Sequence, residues 1–503
     1  MTSARPVLTA RGIHKRFGGV TALADVTLEI LPGEVHCLAG ENGCGKSTLI
    51  KVISGVEAPD AGEITIDGHT YSRLTPRDAI RAGVQVIYQD FSLFPNLTVA
   101  ENIVLTAQIA QGRRTVNPRE TVRRAREVVD RLGVRLDVHA RVEDLTVADK
   151  QLTAICRALA ENAKVIFMDE PTTALTWREV RALFRVVRSL REHGVAMVFV
   201  SHKLDEVLEI SQRVTVLRNG RQAAAGPVEE FDRRTLARAM TGREIREERL
   251  VQPIDEAAAP VLEVRGLTLD GAVADVSFAV RPGEILGITG LLGSGRTEIA
   301  ETIFGVTPAT GGQILVDGRP VQIRSIQDAV AAGIGYVPSD RLSQGLFLDQ
   351  PIARNVMAAS LDLHRGRVGL LDRPKVQQTI QRLFTGLRIK APSTAAPVRS
   401  LSGGNQQRVV LARWLARSPR VLILNSPTVG VDVNSKSEIL DILRAESATG
   451  MGIVIISDDV PELVSVCHRV LVVNAGRVQA ELSGDHLTEA HIMKGFDTKG
   501  PAE

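Results

Sequence analysis

The chain has 503 residues, of which 44% are hydrophobic and 24% charged, so it is long enough for two or more ordinary globular domains. A net charge of +3 and an aromatic content of 3% both argue against a nucleic-acid-binding protein. No stretch is apolar enough to span a membrane, and the N-terminal residues lack the apolar core of a signal peptide. We therefore expect a cytosolic protein that can dock on a membrane partner. Its four cysteines lack CxxC or zinc-ligand spacing and are expected to be buried, reduced thiols.

A long internal repeat organises the chain. The stretch DVTLEILPGEVHCLAGENGCGKSTL (25–49) returns as DVSFAVRPGEILGITGLLGSGRTEI (275–299), and KVIFMDEPT (164–172) returns as RVLILNSPT (420–428). A repeat of this length indicates a duplicated domain, because the unit is far longer than that of a solenoid. We predict a first domain, a polar linker and a second domain, over residues 1–245, 246–259 and 260–503.

Within each half, short apolar runs such as EVHCLA, VIFM and AMVFVS predict strands buried on both faces of a largely parallel sheet. Between these strands, Asn117 and Pro118 followed by Glu120 predict the start of an amphipathic helix that continues to Arg131. The arginines of this stretch are interpreted as a solvated helix face. Each half is therefore predicted to be an α/β domain with a helical insertion.

The segment between the strand EVHCLA and the helical STLIKVIS matches the phosphate-binding P-loop pattern. Its glycines let backbone N–H groups turn toward phosphate oxygens, and the following helix N-terminus adds a favourable dipole. The lysine is expected to reach the β- and γ-phosphates, and the serine hydroxyl to ligate Mg²⁺. The predicted nucleotide-binding residues are Gly40, Glu41, Asn42, Gly43, Cys44, Gly45, Lys46, Ser47 and Thr48.

The second half keeps the glycine frame of this loop but changes its cation. Gly290 and Gly295 are retained and Thr297 replaces the serine, whereas Arg296 stands where the first half has lysine. A planar guanidinium is a poor substitute for a compact ammonium in a tight cradle. The sequence therefore predicts that a nucleotide bound at the second loop is hydrolysed less efficiently than one bound at the first loop.

The motifs GENGCGKST, LSGGNQQRVVLARWLA, VIFMDEP and VFVSHKLDEV together resemble ATP-binding cassette ATPases. Two cassettes on one chain, with LSGGNQQ in the second, look like the tandem ATPase subunit of simple-sugar importers. The resemblance implies an α/β fold of two tandem P-loop cassettes, each with a largely parallel sheet core, a β subdomain and a helical insertion. It also implies head-to-tail pairing, in which each nucleotide lies between the P-loop of one half and the signature sequence of the other.

On this resemblance the first composite site is complete. Phe17 is expected to stack on adenine, with a core position as the alternative. Gln89 contacts Mg²⁺, Asp169 supports the ion, Glu170 polarises the attacking water and His202 senses the γ-phosphate. The catalytic set is thus Lys46, Gln89, Glu170 and His202, and the metal set is Ser47, Gln89 and Asp169. The second half contributes Ser402, Gly403, Gly404, Asn405 and Asp432.

The second composite site has lost the matching residues. Its signature, supplied by the first half, has Val147 and Ala148 in place of glycines, and backbone can no longer approach a phosphate as closely. The other replacements are Thr176 for aspartate, Ser339 for Gln89, Asn425 and Ser426 for the acid pair, and Asp458 for the histidine. Because the losses fall on one site and spare the other, we predict one hydrolytic site and one degenerate site.

The resemblance implies an ATPase that uses ATP and Mg²⁺ and drives import of a monosaccharide or a similar small polyol or sugar. It implies two integral-membrane permease subunits as partners, an extracytoplasmic sugar-binding protein acting through them, and no nucleic acid. The ATPase would lie at the cytoplasmic face of the cell membrane. The alternative is a soluble tandem-cassette translation factor, but that class resembles two intact sites joined by a long charged linker.

Overall fold

The computed structural model describes residues 5–41, 43–110, 117–172, 175, 177–201, 203–242, 252–291, 293–366 and 369–497. The chain divides into two compact units, Met1–Ile245 and Arg246–Glu503. Asn42, Thr176 and His202 lie outside the described residues, as do residues 246–251 of the predicted linker. The linker bounds therefore remain a prediction.

The strands of the first unit form two sheets. A four-stranded antiparallel sheet has the order β2-β1-β4-β5, and a six-stranded sheet has the order β10-β9-β3-β8-β7-β6. All pairs in the second sheet are parallel except β9 with β10. The strands are β1 (Leu8–Phe17), β2 (Val20–Ile30), β3 (Val35–Ala39), β4 (Ala61–Ile66), β5 (His69–Tyr71), β6 (Val84–Ile87), β7 (Val165–Asp169), β8 (Ala196–Ser201), β9 (Arg213–Arg218) and β10 (Arg221–Pro227).

The helices of the first unit pack around the six-stranded sheet, and α3 and α4 form the helical insertion between β6 and β7. The helices are α1 (Lys46–Ile53), α2 (Pro76–Ala82), α3 (Val99–Ala110), α4 (Pro118–Leu132), α5 (Val147–Ala160), α6 (Trp177–Glu192), α7 (Leu204–Ile210) and α8 (Arg233–Thr241). The predicted start of α4 is confirmed: the Asn117 side chain accepts from the backbone N–H groups of Arg119 and Glu120. Pro118 fits there because the first helical N–H has no intrahelical partner.

The central strands are buried on both faces, which explains their continuous apolar sequence. Side chains alternate along a strand. In β7, Ile166 and Met168 pack in the core shared with the helical insertion, whereas Val165 and Phe167 pack in the core shared with the antiparallel sheet. The two hydrophobic cores therefore hold the carboxyl edge of the parallel sheet in place from both sides.

The second unit repeats this architecture, with sheet orders β12-β11-β14-β15 and β16-β17-β18-β13-β19-β20. Its strands are β11 (Leu262–Leu269), β12 (Val273–Val280), β13 (Ile285–Gly290), β14 (Gly311–Val316), β15 (Arg319–Val321), β16 (Ile334–Val337), β17 (Val421–Asn425), β18 (Gly452–Ile456), β19 (Arg469–Asn474) and β20 (Arg477–Ser483). Its α-helices are α9 (Arg296–Ile303), α10 (Ile326–Ala331), α11 (Ile352–Met357), α12 (Arg373–Gly386), α13 (Gly403–Leu415), α14 (Val433–Ser447), α15 (Val460–Val466) and α16 (Glu489–Asp497). A π-helical turn, Arg341–Gly345, follows β16.

The predicted fold class is confirmed in both units: a largely parallel sheet, an antiparallel subdomain and a helical insertion. All four cysteines are free and buried, as expected from their spacing. Within the described ranges, no helix combines the length and apolar character needed to cross a membrane.

Candidate nucleotide-binding site

The P-loop of the first unit joins the end of β3 to the start of α1. Gly40 has a φ of 149°, and a Cβ there would collide with the Leu217 carbonyl and the Cys44 sulfur, so only glycine fits. The Lys46 side chain is buried inside the loop. Its Nζ donates to the carbonyl oxygens of Gly40 at 2.7 Å and Glu41 at 2.9 Å. The ammonium is thus held by the carbonyls of the loop at the start of α1, where the first backbone N–H groups of a helix have no intrahelical partner.

Asp169 ends β7 next to this loop. The Ser47 hydroxyl donates to Asp169 Oδ2 at 3.5 Å, which brings the two predicted metal residues together. Burial and the neighbouring Glu170 raise the pKa of Asp169, against the opposing effects of Lys46 and Ser47. Because ionising such a carboxyl group is costly, a nearby cation stabilises its ionised form.

Glu170 has a left-handed backbone with a φ of 48°, and its N–H donates to the Val200 carbonyl at 3.1 Å. A non-glycine residue with positive φ carries strain, and such residues concentrate at functional sites. Gln89 is exposed two residues after β6, the strand that pairs with β7. Because parallel strands end at the same edge, Gln89 lies at the edge where Asp169 and Glu170 are found.

Phe17 ends β1 at a hairpin tip, where it is 44% exposed and paired with Val20. The Lys15 ammonium lies 5.2 Å from the centre of its ring. This exposure rules out the core alternative for Phe17. Stacking on adenine remains a prediction. In the second unit the hairpin is shorter, with Leu269 paired to Val273, and no aromatic side chain occupies the corresponding turn.

Sequence reasoning missed a buried carboxylate that ties the edge of the sheet together. Glu206 Oε2 accepts hydrogen bonds from the hydroxyls of Thr172 at 2.8 Å and Ser201 at 2.9 Å. It thereby links the segment after Glu170 to the end of β8, directly before His202. The second unit has the same arrangement, with Thr428 and Ser457 donating to Glu462. The repetition of these positions in both halves was the available sequence signal.

The P-loop of the second unit keeps left-handed glycines at Gly293 and Gly295, as the first unit does at Gly43 and Gly45, but its charge arrangement differs. Arg296 Nη1 donates to the Gly290 carbonyl at 2.8 Å, as Lys46 does in the first unit. Its Nη2 lies 3.6 Å from Asp458 Oδ2, and the Arg296 side chain is only 11% exposed. The cation of the loop is therefore paired with a carboxylate of its own unit.

At the position of the acid pair, the second unit has a buried amide, that of Asn425, followed by Ser426. Asn425 is buried, and its amide donates to the Tyr336 hydroxyl at 3.4 Å. The Tyr336 ring stacks on Phe304, with ring centres 5.0 Å apart. Ser426 keeps a left-handed backbone with a φ of 50°, so the loop geometry survives although both carboxylates are lost.

The two signature turns also differ. In the second unit Ser402 precedes α13, and the Asn405 amide donates to the Ser402 hydroxyl at 2.9 Å. A Cβ at Gly404 would collide with the Ser435 hydroxyl, which is held by Asp432 at 2.8 Å. Asp432 thus caps α14 and fixes the surface against which Gly404 packs.

In the first unit, Thr146 caps α5 and is followed by Val147, which is 37% exposed, and Ala148. The structure thus brings Lys46, Ser47 and Asp169 together in the first unit, and the signature glycines and Asp432 together in the second.

Three comparisons with known proteins bear on this site. A family model described as ABC transporter matches residues 23–173 and again residues 273–429. A ribose import ATP-binding protein of Rubrobacter xylanophilus is 48% identical and covers 99% of this chain and 99% of the relative. A ribose import ATP-binding protein of Streptomyces avermitilis is 44% identical and covers 98% of this chain and 97% of the relative. One of Escherichia coli O157:H7 is 42% identical and covers 97% of this chain and 96% of the relative. A solved nucleotide-free ATP-binding cassette from an ABC transporter is 26% identical, covers 45% of this chain and 92% of that chain, and has a TM-score of 0.41.

Proposed function

Because the chain belongs to the ABC transporter family of ATP-binding proteins, we propose that it is the ATPase subunit of a monosaccharide importer. The relatives are named for ribose import, so the proposed cargo is ribose or a chemically similar sugar. These names lend no support to the translation-factor alternative. The observation that carries the proposal is the cluster of Lys46, Ser47 and Asp169 around one P-loop.

The proposed competent site combines this P-loop with the signature turn Ser402–Gly404 of the second unit, as the family resemblance implies. Lys46 would exchange its two carbonyl partners for phosphate oxygens. Glu170 would orient a water for in-line attack on the γ-phosphorus, and the bond to the bridging oxygen would break to release ADP. The amides at the start of α13 would stabilise the charge on the transferring group. His202 is proposed to contact the γ-phosphate.

The residues at the loop fit a magnesium ion. The Ser47 hydroxyl, the Asp169 carboxylate and the Gln89 side-chain oxygen are hard oxygen donors, which Mg²⁺ prefers. Bound there, the ion would neutralise charge on the β- and γ-phosphates. The raised pKa of Asp169 is consistent with a carboxylate that gains from a cation.

The second P-loop is proposed to be degenerate. Arg296 is paired with Asp458, and the Asn425 amide donates to Tyr336. Both side chains are therefore engaged within the second unit, whereas Lys46 and Asp169 of the first unit are proposed to act on phosphate and metal. A carboxylate near the γ-phosphate position would repel it. The loop could still hold a nucleotide, but without the acid pair it would not turn it over.

Two exposed phenylalanines support docking on two permease subunits. Phe94 is 50% exposed and Phe347 is 59% exposed, each shortly after the position of Gln89 or Ser339. A buried asparagine holds the backbone of each: Asn102 bonds both the N–H and the carbonyl of Phe94, and Asn355 does the same for Phe347. A rigidly held exposed aromatic is typical of an interaction anchor. On this proposal the chain lies at the cytoplasmic face of the membrane, and an extracytoplasmic sugar-binding protein delivers sugar to the permease.

The test is sugar uptake and phosphate release by the full chain reconstituted with its permease and binding protein in vesicles. Lys46→Ala or Glu170→Gln should lower both rates by about 100-fold or more, because each removes a group that acts on the transferring phosphate. Arg296→Ala should keep most of both rates. An equal loss in all three variants would contradict the assignment of one competent site.

A further inference from the structure

The second unit contains an arginine clamp that sequence reasoning did not single out. Arg341 opens the π-helical turn after β16. Its Nη1 donates to the Val429 carbonyl at 2.6 Å, and its Nη2 donates to the Gly430 carbonyl at 3.1 Å. The two carbonyls lie in the loop that ends at Asp432, 88 and 89 residues further along the chain. One planar guanidinium thus holds two successive peptide groups.

The same guanidinium abuts the signature turn. A Cβ built on Gly403 would lie 2.8 Å from Arg341 Nη2 and 2.7 Å from the Gly430 carbonyl oxygen. The Gly430 carbonyl belongs to the backbone and cannot move aside as the tip of a flexible side chain can, so the loop that Arg341 holds excludes every residue but glycine at this position. The glycine is therefore required because the 429–432 loop, held by Arg341, packs against it.

The clamp depends on extra chain that the first unit lacks. The segment from Asp340 to Phe347 is three residues longer than the equivalent segment from Asp90 to Phe94. The additional residues form the π-helical turn, which Asp340 caps by accepting from the N–H groups of Leu342 and Ser343. Such turns are frequent at functional sites.

Where the second unit has Arg341, the first unit has Phe91, whose side chain packs against the hydrophobic core of its helical insertion. The first unit also has Val147 where the second has Gly403. The arginine is therefore present in the second unit, which has the intact signature, and absent from the first unit, which has the altered signature. Within the described residues, Arg341 Nε is buried with no hydrogen-bond partner, as are Arg408 Nε and Arg444 Nε, so this feature does not distinguish the clamp from other arginines.

We propose that Arg341 is a positioning residue for ATP hydrolysis, which locks the 429–432 loop against the signature turn so that Gly403 and Gly404 meet the γ-phosphate in one fixed arrangement. This inference rests on the proposed function, because it assumes that the signature turn serves the nucleotide on the P-loop of Lys46. Fixed donors stabilise a transition state better than mobile ones, since no reorganisation is needed during reaction.

The test compares Arg341→Ala and Arg341→Lys with Arg417→Ala in the full chain. Arg417 is a matched control, because its guanidinium also donates to a backbone carbonyl of the second unit, that of Ala359 at 2.6 Å. We expect Arg341→Ala to lower kcat about 10- to 100-fold and to change KM for ATP less than about 3-fold. Arg341→Lys should recover little, because a compact ammonium lacks the fork that spans both carbonyls.

Hydrogen exchange of the amides of residues 428–432, measured without nucleotide, supplies a readout independent of hydrolysis. Arg341→Ala should accelerate it, whereas Arg417→Ala should not. An unchanged kcat in Arg341→Ala, or an equal loss in Arg417→Ala, would overturn the inference. If Lys46→Ala abolishes hydrolysis while Arg341→Ala leaves kcat unchanged, the clamp inference alone fails; if Lys46→Ala retains hydrolysis, the proposed function fails.

Discussion

The Arg296 guanidinium lies 3.6 Å from the Asp458 carboxylate and also donates to the Gly290 carbonyl. The first unit has Lys46 and His202 at these positions, two residues suited to an anion. In the second unit, the Arg296 cation of the P-loop forms an ion pair with the Asp458 carboxylate of the same unit. The Asp458 carboxylate therefore faces the cation of the second P-loop, so the two replacements lie in contact.

Removing this carboxylate should improve nucleotide binding at the second loop. In a Lys46→Ala background, Asp458→Asn should tighten binding of a fluorescent ATP analogue roughly 2- to 5-fold, the range expected when a mostly exposed charge is removed. Hydrolysis should stay absent because Asn425 and Ser426 supply no carboxylate. The exposed Asp485→Asn serves as a control. Unchanged affinity in Asp458→Asn would show that the ion pair does not limit binding.

Replacing Asp169 by asparagine should raise the stability of the first unit and lower ATP hydrolysis. Burial and Glu170 raise its pKa, so the ionised carboxyl destabilises the folded state at neutral pH. Asp169→Asn should raise the unfolding midpoint of the first unit at pH 7 by about 1–3 °C. The gain should shrink as the pH falls through the folded pKa of Asp169 and disappear below the ordinary pKa of aspartate, where the wild-type carboxyl is neutral in both the folded and the unfolded state.

Asp67→Asn is a control in which the pKa shift has the opposite direction, because the Lys164 ammonium lowers the pKa of Asp67. This variant should gain no stability at pH 7. A lower midpoint for Asp169→Asn at pH 7 would contradict the expected cost of ionising that site.

Glu462 should make the stability of the second unit depend on pH. Complete burial raises its pKa to about 7, against the opposing effects of Lys436 and Thr428. The folded state therefore binds this proton more tightly than the unfolded chain, and stability should rise as the pH falls from above 7 toward 4.5. Glu462→Gln should flatten this dependence, seen as unfolding midpoints measured between pH 5.5 and 8.5. The exposed Glu229→Gln should leave the slope unchanged; an unaltered slope in Glu462→Gln would refute the titration.

Docking on the permease should depend on Phe94 and Phe347. Replacing either by alanine should lower sugar uptake and co-purification with the permease by about 10-fold, the effect of losing an aromatic anchor. The unfolding midpoint should barely change, because each ring is at least half exposed. Val56→Ala, another exposed apolar position, is the matched control. Normal uptake in both phenylalanine variants would exclude these surfaces.

Local sequence alone determined the duplication, the α/β class, both P-loops and the unequal retention of site residues. These features depend on residue types at fixed short spacings, such as the glycines around Lys46, and a short pattern needs no knowledge of distant contacts. The start of α4 at Pro118 was readable for the same reason, since a helix cap is formed within three residues.

The tertiary structure decided which distant groups meet. Asn425 bonds Tyr336 across 89 residues, and Arg341 reaches Val429 across 88. Arg296 and Asp458 pair because the strands before them, β13 and β18, are neighbours in one parallel sheet. No local spacing encodes such pairs, because strand order brings together chain segments that are far apart in sequence. The sequence assigned the replacements at Arg296, Asn425 and Asp458 to one degenerate site, and only the folded chain shows the partner of each.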